Sequence, residues 1–436
     1  MLFQKKITCS IFLLCVEILL PCAAVPDEVI VSNTTELQNA INSVQGGDTI
    51  LLNSGIYNGL TISSLNNSSV VIIKANTGAT PVLSSVNIQN SSYWNLKGVV
   101  VKPRYTNGAD GNTAVKLNGQ YLVFENSTIN YADDISGWTA SNWLARTGNG
   151  ISMGGTHLTI HNNTITNVDH GIHGDATDSL VSGNRIINFR GDGIRGLGDR
   201  MVYQYNTIKN AYAVDGNHDD GIQSWSVGGG GVGTGVVRDV VLRGNTIINF
   251  ENPDQPLKSA LQGIGLFDGM YENWVIENNI IITNHWHGIT MAGAQDSRVV
   301  NNTVLDANMV SPGPPWVRIS DHKDGTHSSG VIVRNNLSTD FSLGAGVTSD
   351  HNIEFGMEEL STYFLSPSEG DYHLKSTSPA IDAGSADNAP SIDIEGTLRP
   401  QGAAWDVGGY EFSVGDGIIS PNICPVYILL LGWSGK

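Results

Sequence analysis

The chain has 436 residues, 51 of them glycine, and a formal net charge of −18 from 23 Lys and Arg against 41 Asp and Glu. Its hydrophobic content of 40% is enough for a packed core and excludes wholesale disorder. The acidic balance argues against a nucleic-acid-binding protein, which needs a basic face. It suits a secreted protein or one that binds cations.

The N-terminal 24 residues have the organisation of a secretory signal peptide. A basic start at Lys5 and Lys6 is followed by an apolar stretch over residues 7–20 and by the small residues Ala23 and Ala24. That stretch is too short for a stable membrane span. We therefore predict a signal peptide over residues 1–24 and a protein secreted to the extracellular space or the periplasm.

Three of the four cysteines lie within that segment, so the mature chain would keep only Cys424. A single cysteine cannot form an intrachain disulfide, and stability must come from a large core. The tail over residues 415–436 ends in an apolar stretch that is too short to cross a bilayer, and its role is left open. We expect a monomer without a membrane span.

An asparagine-centred turn before a short β-branched run recurs through the middle of the chain. Where no insertion intervenes, successive turns lie 21 to 23 residues apart. The turn asparagines are Asn163, Asn184, Asn206, Asn245, Asn279 and Asn302. Stacked Asn side chains can satisfy one another at a repeated turn, so we assign this column a structural role.

A second column, x-Gly-Ile, runs in phase with the first. Its members are Asn149-Gly-Ile151, His170-Gly-Ile172, Asp192-Gly-Ile194, Asp220-Gly-Ile222, Gln262-Gly-Ile264 and His287-Gly-Ile289. Self-similarity at about 22 residues predicts a solenoid. Short Ile, Val and Thr strands punctuated by Gly and Asn favour a parallel β-helix over a leucine-rich repeat. The predicted fold is therefore all-β, a single-stranded parallel β-helix whose stacked coils share one core.

The segment over residues 33–59 provides the N-terminal cap that an open coil end requires. Thr34 or Thr35 is predicted to cap a short amphipathic helix that runs to Val44, and the first strand is predicted at Asp48–Leu52. This opening, together with the coil pattern over residues 28–355, resembles the pectate-lyase-like superfamily of right-handed parallel β-helices. The resemblance implies a right-handed helix, here over residues 25–375, and a secreted polysaccharide lyase or hydrolase.

Residues 376–412 contain SPAIDAG, then RP, then DVGGYE, and resemble the segment that closes many secreted bacterial β-helix proteins. The resemblance implies a closing segment over residues 376–414 at the C-terminal end of the solenoid. Its acids are therefore predicted to be turn and cap residues. They are Asp382, Asp393, Asp406 and Glu411.

Equivalent positions on successive coils lie about 4.8 Å apart, so the x-Gly-Ile column places chosen side chains side by side. We predict that the residues before Gly and those after Ile point outward and line a groove for an extended polymer. Those before Gly are Asn149, His170, Asp192, Asp220, Gln262 and His287; those after Ile are Ser152, His173, Arg195, Gln223, Gly265 and Thr290. His, Asp, Arg and Gln are concentrated on neighbouring coils of this face, which indicates a functional site.

The densest part of this face is Asp215–Trp225, which includes consecutive titratable residues at His218, Asp219 and Asp220. We interpret His218 as a general acid or base that the two Asp orient. Gln223 is predicted to contact substrate and Trp225 to stack on a sugar. The other predicted substrate-binding residues are His170, His173, Lys258 and His287.

A lyase mechanism suits this set. A base removes the proton next to a uronate carboxylate after a cation has neutralised that carboxylate. Arg195, Lys258 or His218 are the candidate bases, and His173 with Arg195 would hold the carboxylate. The candidate ligands for Ca²⁺ are Asp192, Asp219 and Asp220, because Ca²⁺ prefers carboxylate oxygens. A C5-epimerase would share this first step.

A hydrolase mechanism competes with it. Asp192 on one coil and the Asp219–Asp220 pair on the next resemble the acids of polygalacturonase-like inverting hydrolases, which use one carboxyl as acid and another as base. This chain departs from that pattern, with Arg190-Gly-Asp192 in place of Asn-Thr-Asp and Arg318-Ile-Ser320 in place of Arg-Ile-Lys.

A third hypothesis is a non-catalytic adhesin or surface-binding β-helix, for which a bland outer face would be expected. The Gly-rich stretch over residues 227–237 lacks a phosphate-binding or dinucleotide fingerprint, so no nucleotide or organic cofactor is expected. The sequence favours an enzyme that cuts an acidic polysaccharide by β-elimination. Its predicted catalytic residues are Asp192, Arg195, His218, Asp219 and Asp220.

Overall fold

A computed structural model describes residues 27–103 and 112–413 of the chain. The predicted signal peptide and the tail over residues 415–436 lie outside these ranges. In the described residues each coil contributes strands to three parallel ladders, which we call the first, second and third ladder. Along the chain a strand of the second ladder is followed by one of the third and then by one of the first.

The first ladder contains the x-Gly-Ile motifs. Its strands are Leu60–Ser63, the first half of Val86–Lys97, the first half of Thr113–Glu125, Asn149–Thr156, Ile172–Gly174, Ile194–Gly196, Asp220–Trp225, Gln262–Asp268, His287–Ala292, Trp316–Ser320 and Phe341–Leu343.

The second ladder precedes the asparagine turns. It comprises Glu28–Val31, Thr49–Leu52, Asn66–Ala75, the second halves of the two long strands just named, Thr159–His161, Leu180–Ser182, Val202–Gln204, Val241–Arg243, Val275–Glu277, Arg298–Val300, Val331–Arg334 and Val347–Asp350. Because the long strands pass through both ladders, the two ladders form one 22-stranded sheet.

The third ladder follows the turns and forms a separate 12-stranded sheet. Its strands are Gly55–Tyr57, Pro81–Leu83, Val100–Val101, Thr128–Asn130, Thr164–Val168, Arg185–Phe189, Thr207–Ala211, Thr246–Ile248, Ile280–Thr283, Thr303–Asp306, Leu337–Ser338 and Ile353–Glu354.

The remaining elements are short and lie outside the three ladders. The strands are Val236–Arg238, Met270–Glu272 and Ala294–Gln295 in a small parallel sheet, the hairpin Val227–Gly228 with Gly231–Val232, and the hairpin Phe364–Ser366 with Asp371–Leu374. The α-helices are Thr34–Ser43, Ala140–Arg146 and Leu360–Tyr363, and the 3-10 helices are Met357–Glu359 and Pro367–Glu369. None of the helices in the described ranges is long and apolar enough to span a membrane.

The asparagine column is the structural ladder that the sequence predicted. Asn206 is fully buried, its side-chain amide donates to the Val181 carbonyl and to Asn245 Oδ1, and its Oδ1 accepts from Asn184. The residue before each ladder asparagine adopts a left-handed conformation, as at Asn162 with a φ of 55°. The repeated turn thus satisfies the buried polar groups of one coil with those of the next.

The glycine of each x-Gly-Ile motif lies at the corner where the third ladder leads into the first. A Cβ atom on Gly193 would lie 2.4 Å from Ile208 Cγ2 and 2.7 Å from the Gly221 carbonyl oxygen of the next coil. Any side chain would therefore push the coils apart. Glycine is required at this corner because the interior of the coil beside it is filled. The residue before glycine, by contrast, differs from coil to coil.

The N-terminal helix caps the coil end as predicted, with two corrections. Its N-cap is Asn33, whose side chain accepts from the Glu36 N–H, rather than Thr34 or Thr35. The predicted first strand is Thr49–Leu52, and it is preceded by a strand at Glu28–Val31 that the sequence did not indicate.

The closing segment lies against the outer face of the third ladder in the last coils. The side-chain amide of Asn301 donates to the Asp406 carbonyl, and Val407 joins a second apolar cluster with Ile280 and Leu305. Its acids are turn residues, as predicted, since they accept backbone N–H groups. The segment therefore covers the side of the solenoid over these coils rather than only its end.

Candidate functional site

The parallel register of the first ladder aligns one outward residue from each coil. This outward row runs through Lys116, Ser152, His173, Arg195, Gln223, Gly265, Thr290 and Arg318. The prediction that the residues after Ile stand side by side is confirmed. Lys116 and Arg318 extend the row beyond the coils that carry the motif.

The residues before Gly behave differently from the prediction. Asp192 and Asp220 are 2% and 0% exposed, and Gln262 is also buried, so these side chains do not line the surface as the sequence analysis expected. Larger side chains of the outward row, Arg195 and Gln223, contact the two carboxylates. The acids therefore support the outward row from beneath, and substrate would meet the side chains above them.

Asp192 and Asp220 come from adjacent coils despite the 27-residue interval between Asp192 and Asp219. The backbone N–H of Asp220 donates to Asp192 Oδ1 at 3.1 Å, and Arg195 Nε lies 3.3 Å from Asp192 Oδ2. The extra residues before Asp219 are accommodated in the exposed segment over residues 215–218. We call Asp192, Asp219 and Asp220 the Asp cluster.

Each acid of the Asp cluster has a neutral hydrogen-bond donor or a cation beside it. The Ser259 hydroxyl donates to Asp219 Oδ2 at 2.7 Å, and the Gln223 amide donates to Asp220 Oδ2 at 2.9 Å. Asp220 Oδ1 is buried and has no hydrogen-bond partner among the described residues. A Cβ on Gly265 would lie 2.1 Å from that oxygen, so glycine at this point of the row makes room for Asp220.

Burial raises the pKa of every member of the Asp cluster. The pKa of Asp192 rises to about 6 because the group is desolvated, although Arg195 opposes the shift. Desolvation and the charge of Asp192 raise the pKa of Asp219 to about 7. Desolvation also raises the pKa of Asp220 well above its usual range, and the two neighbouring acids add to this. Three carboxyls with raised pKa values next to an exposed face are typical of a functional site.

The Asp cluster does not fit the predicted calcium site. Within the described residues, no group of three or more His, Cys, Asp and Glu side chains is arranged to hold a metal ion. Arg195, Ser259 and Gln223 contact the carboxylates of Asp192, Asp219 and Asp220 respectively, and Asp220 Oδ1 has no partner among the described residues. The calcium requirement stays a prediction that this donor set does not support.

Arg195 is the best-positioned cation of the outward row. Its guanidinium lies over the Trp225 ring at 4.7 Å, its Nε faces Asp192, and its Nη1 is 2.8 Å from His170 Nε2. The side chain is nevertheless 32% exposed. Arg195 is therefore held in one place and still accessible to an anionic ligand, which is the geometry that carboxylate recognition requires.

Two neutral imidazoles lie beside this guanidinium. Desolvation lowers the pKa of His170 to about 3 and that of His173 to about 4, and the charge of Arg195 contributes to both shifts. Lys116 also lowers the pKa of His173. His173 Nε2 is buried without a hydrogen-bond partner among the described residues. At neutral pH both rings are therefore uncharged, and His170 contacts Arg195 and the Asp192 backbone N–H with its two nitrogens.

His218 is exposed and lies near two other histidines. Desolvation lowers the pKa values of His285 and His287, His218 adds to both shifts, and the rings of His285 and His287 stack at 5.1 Å. His287 Nδ1 is 2.8 Å from Thr290 Oγ1, and its ring packs against Trp316. The predicted candidates His218 and His287 are thus brought together, on the C-terminal side of Gln223.

The aromatic residues near these histidines differ in accessibility. Trp286 is 42% exposed and its ring is nearly parallel to that of Trp316, whereas Trp274 is 2% exposed and donates to the Val237 carbonyl. Trp286 and Trp316 therefore remain available for sugar stacking, and Trp274 belongs to the core.

Lys258 does not join the predicted site. Its ammonium contacts the Pro253 carbonyl and lies over the Phe250 ring, and it forms no ion pair among the described residues. Its neighbour Ser259 does reach the Asp cluster, and sequence reasoning missed it because a serine in an insertion carries no signal. Lys116 was missed because its coil lacks the x-Gly-Ile motif, although Ala114-Val115-Lys116 is in phase with it.

The comparisons with known proteins agree with this architecture. Residues 149–337 match the protein-family model described as "Right handed beta helix region". This match and the ladder topology confirm the predicted right-handed parallel β-helix and the resemblance to the pectate-lyase-like fold. No curated protein matches the chain by sequence.

Several solved structures resemble the chain at low sequence identity. Pectate lyase Pel9A shares 16% identity with a TM-score of 0.46, covering 89% of this chain and 97% of that chain. The alginate lyase from Paenibacillus sp. str. FPU-7 shares 12% identity with a TM-score of 0.43, covering 74% and 99%. The PL6 family polysaccharide lyase Pedsa3628 from Pseudopedobacter saltans shares 14% identity with a TM-score of 0.49, covering 80% and 97%. These similarities concern the fold of the chain.

Proposed function

We propose that the chain is a secreted carbohydrate-active enzyme that cleaves an acidic, uronate-containing polysaccharide by β-elimination. The observation that carries this proposal is the placement of Arg195. It is fixed by Asp192, His170 and Trp225 and remains accessible on a row that an extended polymer could follow. A guanidinium held in this way recognises a carboxylate and offsets its charge.

The chemistry follows from that charge compensation. Neutralising the uronate carboxylate makes the proton on the adjacent carbon more acidic, and a base can then remove it. The electron pair forms a double bond to the next carbon, the bond to the glycosidic oxygen breaks, and the departing oxygen takes up a proton from water. A C5-epimerase would return the proton to the opposite face instead.

His218 is the base that we propose. It is exposed, it lies two residues before Asp220 of the Asp cluster, and it contributes to the lowered pKa values of His285 and His287. Arg195 is less suitable, because a guanidinium stays protonated at neutral pH. Lys258 is directed to its own loop. Gln223, which Asp220 holds, would contact the sugar next to Arg195.

Inverting hydrolysis is the second candidate, and one observation favours it. The pKa of Asp219 is raised to about 7, and a carboxyl that is still protonated near neutral pH is what a general acid requires. The Asp cluster is buried beneath the outward row, so direct contact with a glycosidic oxygen would require Arg195 and Gln223 to move.

A panel of acidic and neutral polysaccharides tests the proposal. The mature protein would be assayed with added Ca²⁺ and with EDTA, following both the absorbance of unsaturated uronates and the appearance of reducing ends. We expect both signals to rise together, and His218→Ala to abolish them. His157→Ala changes an exposed histidine that stacks on Tyr121 and serves as the matched control.

The other outcomes are equally specific. Reducing ends without absorbance would overturn β-elimination in favour of the hydrolase, and Asp219→Asn would then remove them. Binding of a polysaccharide without either signal would favour the adhesin hypothesis. Activity that is unchanged in EDTA would contradict the predicted calcium requirement.

A further inference from the structure

A depression on the first ladder lies before the coils that carry the x-Gly-Ile motif. Its volume is about 430 Å³, and it is lined by Ser85, Val86, Asn87, Gln89, Thr113 and Lys116. The lining is mostly polar, and the Gln89 amide donates to Asn87 Oδ1 at 3.0 Å. Of these residues Lys116 belongs to the outward row that contains Arg195, and Asn87, which pairs with Lys116, continues that row by one coil.

Lys116 is the charged group of this depression. Its side chain is exposed, and it forms no ion pair among the described residues. By contrast, Lys97 faces Glu125, and Lys102 faces Asp133. After desolvation and Arg195, the charge of Lys116 is a further cause of the lowered pKa of His173. The positive charges of Lys116 and Arg195 therefore both reach the His173 ring between them.

The register fixes the separation of the two cations. Lys116 pairs with Ser152, Ser152 with His173, and His173 with Arg195, which gives three coil steps. At about 4.8 Å per step, the backbone positions of Lys116 and Arg195 are about 14 Å apart. This distance exceeds one monosaccharide, so the two cations would meet different sugars of one chain.

We infer that Lys116 forms a second carboxylate-binding subsite, which selects polymers with repeated carboxylates over short or neutral glycans. This inference rests on the proposed function, because it takes Arg195 as the first carboxylate site. Between the two cations the row places Ser152, whose hydroxyl can bond a sugar hydroxyl, and the half-buried ring of His173. The polymer would then lie along the row and across the coils.

Binding and cleavage by matched variants test the inference. Lys116→Gln would be compared with Lys74→Gln, which removes the same charge from the second ladder, and with Lys116→Arg. Polygalacturonate and alginate are the polymer probes, and uronate trisaccharides are the short ones. We expect Lys116→Gln to weaken polymer binding and lower polymer kcat/KM by about fivefold, the size of one exposed charge contact. The trisaccharide values should stay unchanged, and Lys116→Arg should restore polymer binding.

The outcomes separate this inference from the function on which it rests. If the wild type cuts polyuronate and Lys116→Gln behaves like Lys74→Gln on every probe, the subsite is overturned and the proposed function stands. If the wild type neither binds nor cuts a polyuronate, both fail. An equal loss on polymer and trisaccharide would place Lys116 within the first subsite and would also overturn the inference.

Discussion

The outward faces of the first and second ladders carry charge in opposite arrangements. On the second ladder, charged side chains meet partners of opposite sign on neighbouring coils. Arg243 bonds Glu277 at 2.5 Å, and Arg334 bonds Asp350 at 2.5 Å. The neighbouring His161 lowers the pKa of Glu125 to about 2, which shows how far the ionised form is favoured there.

On the first ladder, Arg195 faces Asp192, but within the described residues the other charges of the outward row and of the Asp cluster are not paired with groups of opposite sign in this way. The Asp cluster keeps three carboxyls together in a buried layer whose pKa values are raised, while the exposed Lys116 forms no ion pair in the part of the chain that the structure describes. Both faces have the same coils and the same backbone spacing. The difference indicates that stability governs side-chain choice on the second ladder and ligand binding on the first.

Removing the central cation of each face is expected to give the largest contrast. Arg195→Gln should lower kcat/KM on a polyuronate by about 100-fold or more, because the carboxylate loses its positioned charge. Arg243→Gln removes the same group from the second ladder and should leave kcat/KM within about twofold. Steady-state kinetics on the substrate found in the panel would measure both. Equal losses for the two variants would contradict the contrast between the faces.

The fold could be predicted because its packing forces repetition on the sequence. Every coil must fill the same corner and satisfy the same turn, so Gly193 and Asn206 have an equivalent in each neighbouring coil, at a regular interval wherever no insertion intervenes. The outward row also followed from this register. The helix cap was misplaced by one or two residues because Asn33, Thr34 and Thr35 all have side chains that can cap a helix.

The depth of the Asp cluster could not be predicted in the same way. The position before Gly lies at a corner, where the alternation of a strand no longer fixes side-chain direction. Burial of Asp220 depends on Gln223 of its own strand and on the space above Gly265 of the next coil, and periodicity encodes neither contact. Lys116 escaped notice for a related reason, since its long strand passes through two ladders and lacks the repeated motif.

The asparagine ladder offers a structural counterpart to the Arg195 experiment. Asn206→Ala should lower the free energy of unfolding by about 3 kcal/mol, because the Val181 carbonyl loses its side-chain donor and the buried backbone and side-chain N–H groups of Asn184 lose Asn206 Oδ1 as an acceptor. Asn42→Ala on the exposed face of the N-terminal helix should change it by less than about 0.5 kcal/mol. Denaturant unfolding would measure both. A small effect at Asn206 would mean that apolar packing between the coils, and not the asparagine ladder, holds the coils together.

The stability of the protein should depend on pH in opposite ways through the buried Asp219 of the first ladder and the ion-paired Asp350 of the second. Asp219 has a folded-state pKa of about 7, above its unfolded value of about 3.8, so the stability that comes from its protonated form is present below about pH 4 and is lost as the pH rises from there through about 7. Asp219→Asn removes this loss. The variant should therefore gain stability relative to the wild type as the pH rises from about 4 to about 7, by about 2 kcal/mol and at most about 4.

His170 and His173, whose pKa values are lowered, oppose this trend in the wild type because they favour folding less as the pH falls below about 6.5. Their contribution cancels when the variant is compared with the wild type at each pH. Asp350→Asn on the second ladder provides the control of opposite sign. Arg334 lowers the pKa of Asp350, so the wild-type advantage over that variant should be lost only in acid. If the stability differences of the two variants from the wild type changed with pH in the same direction, the proposed contrast between the buried acids of the first ladder and the paired acids of the second would be wrong.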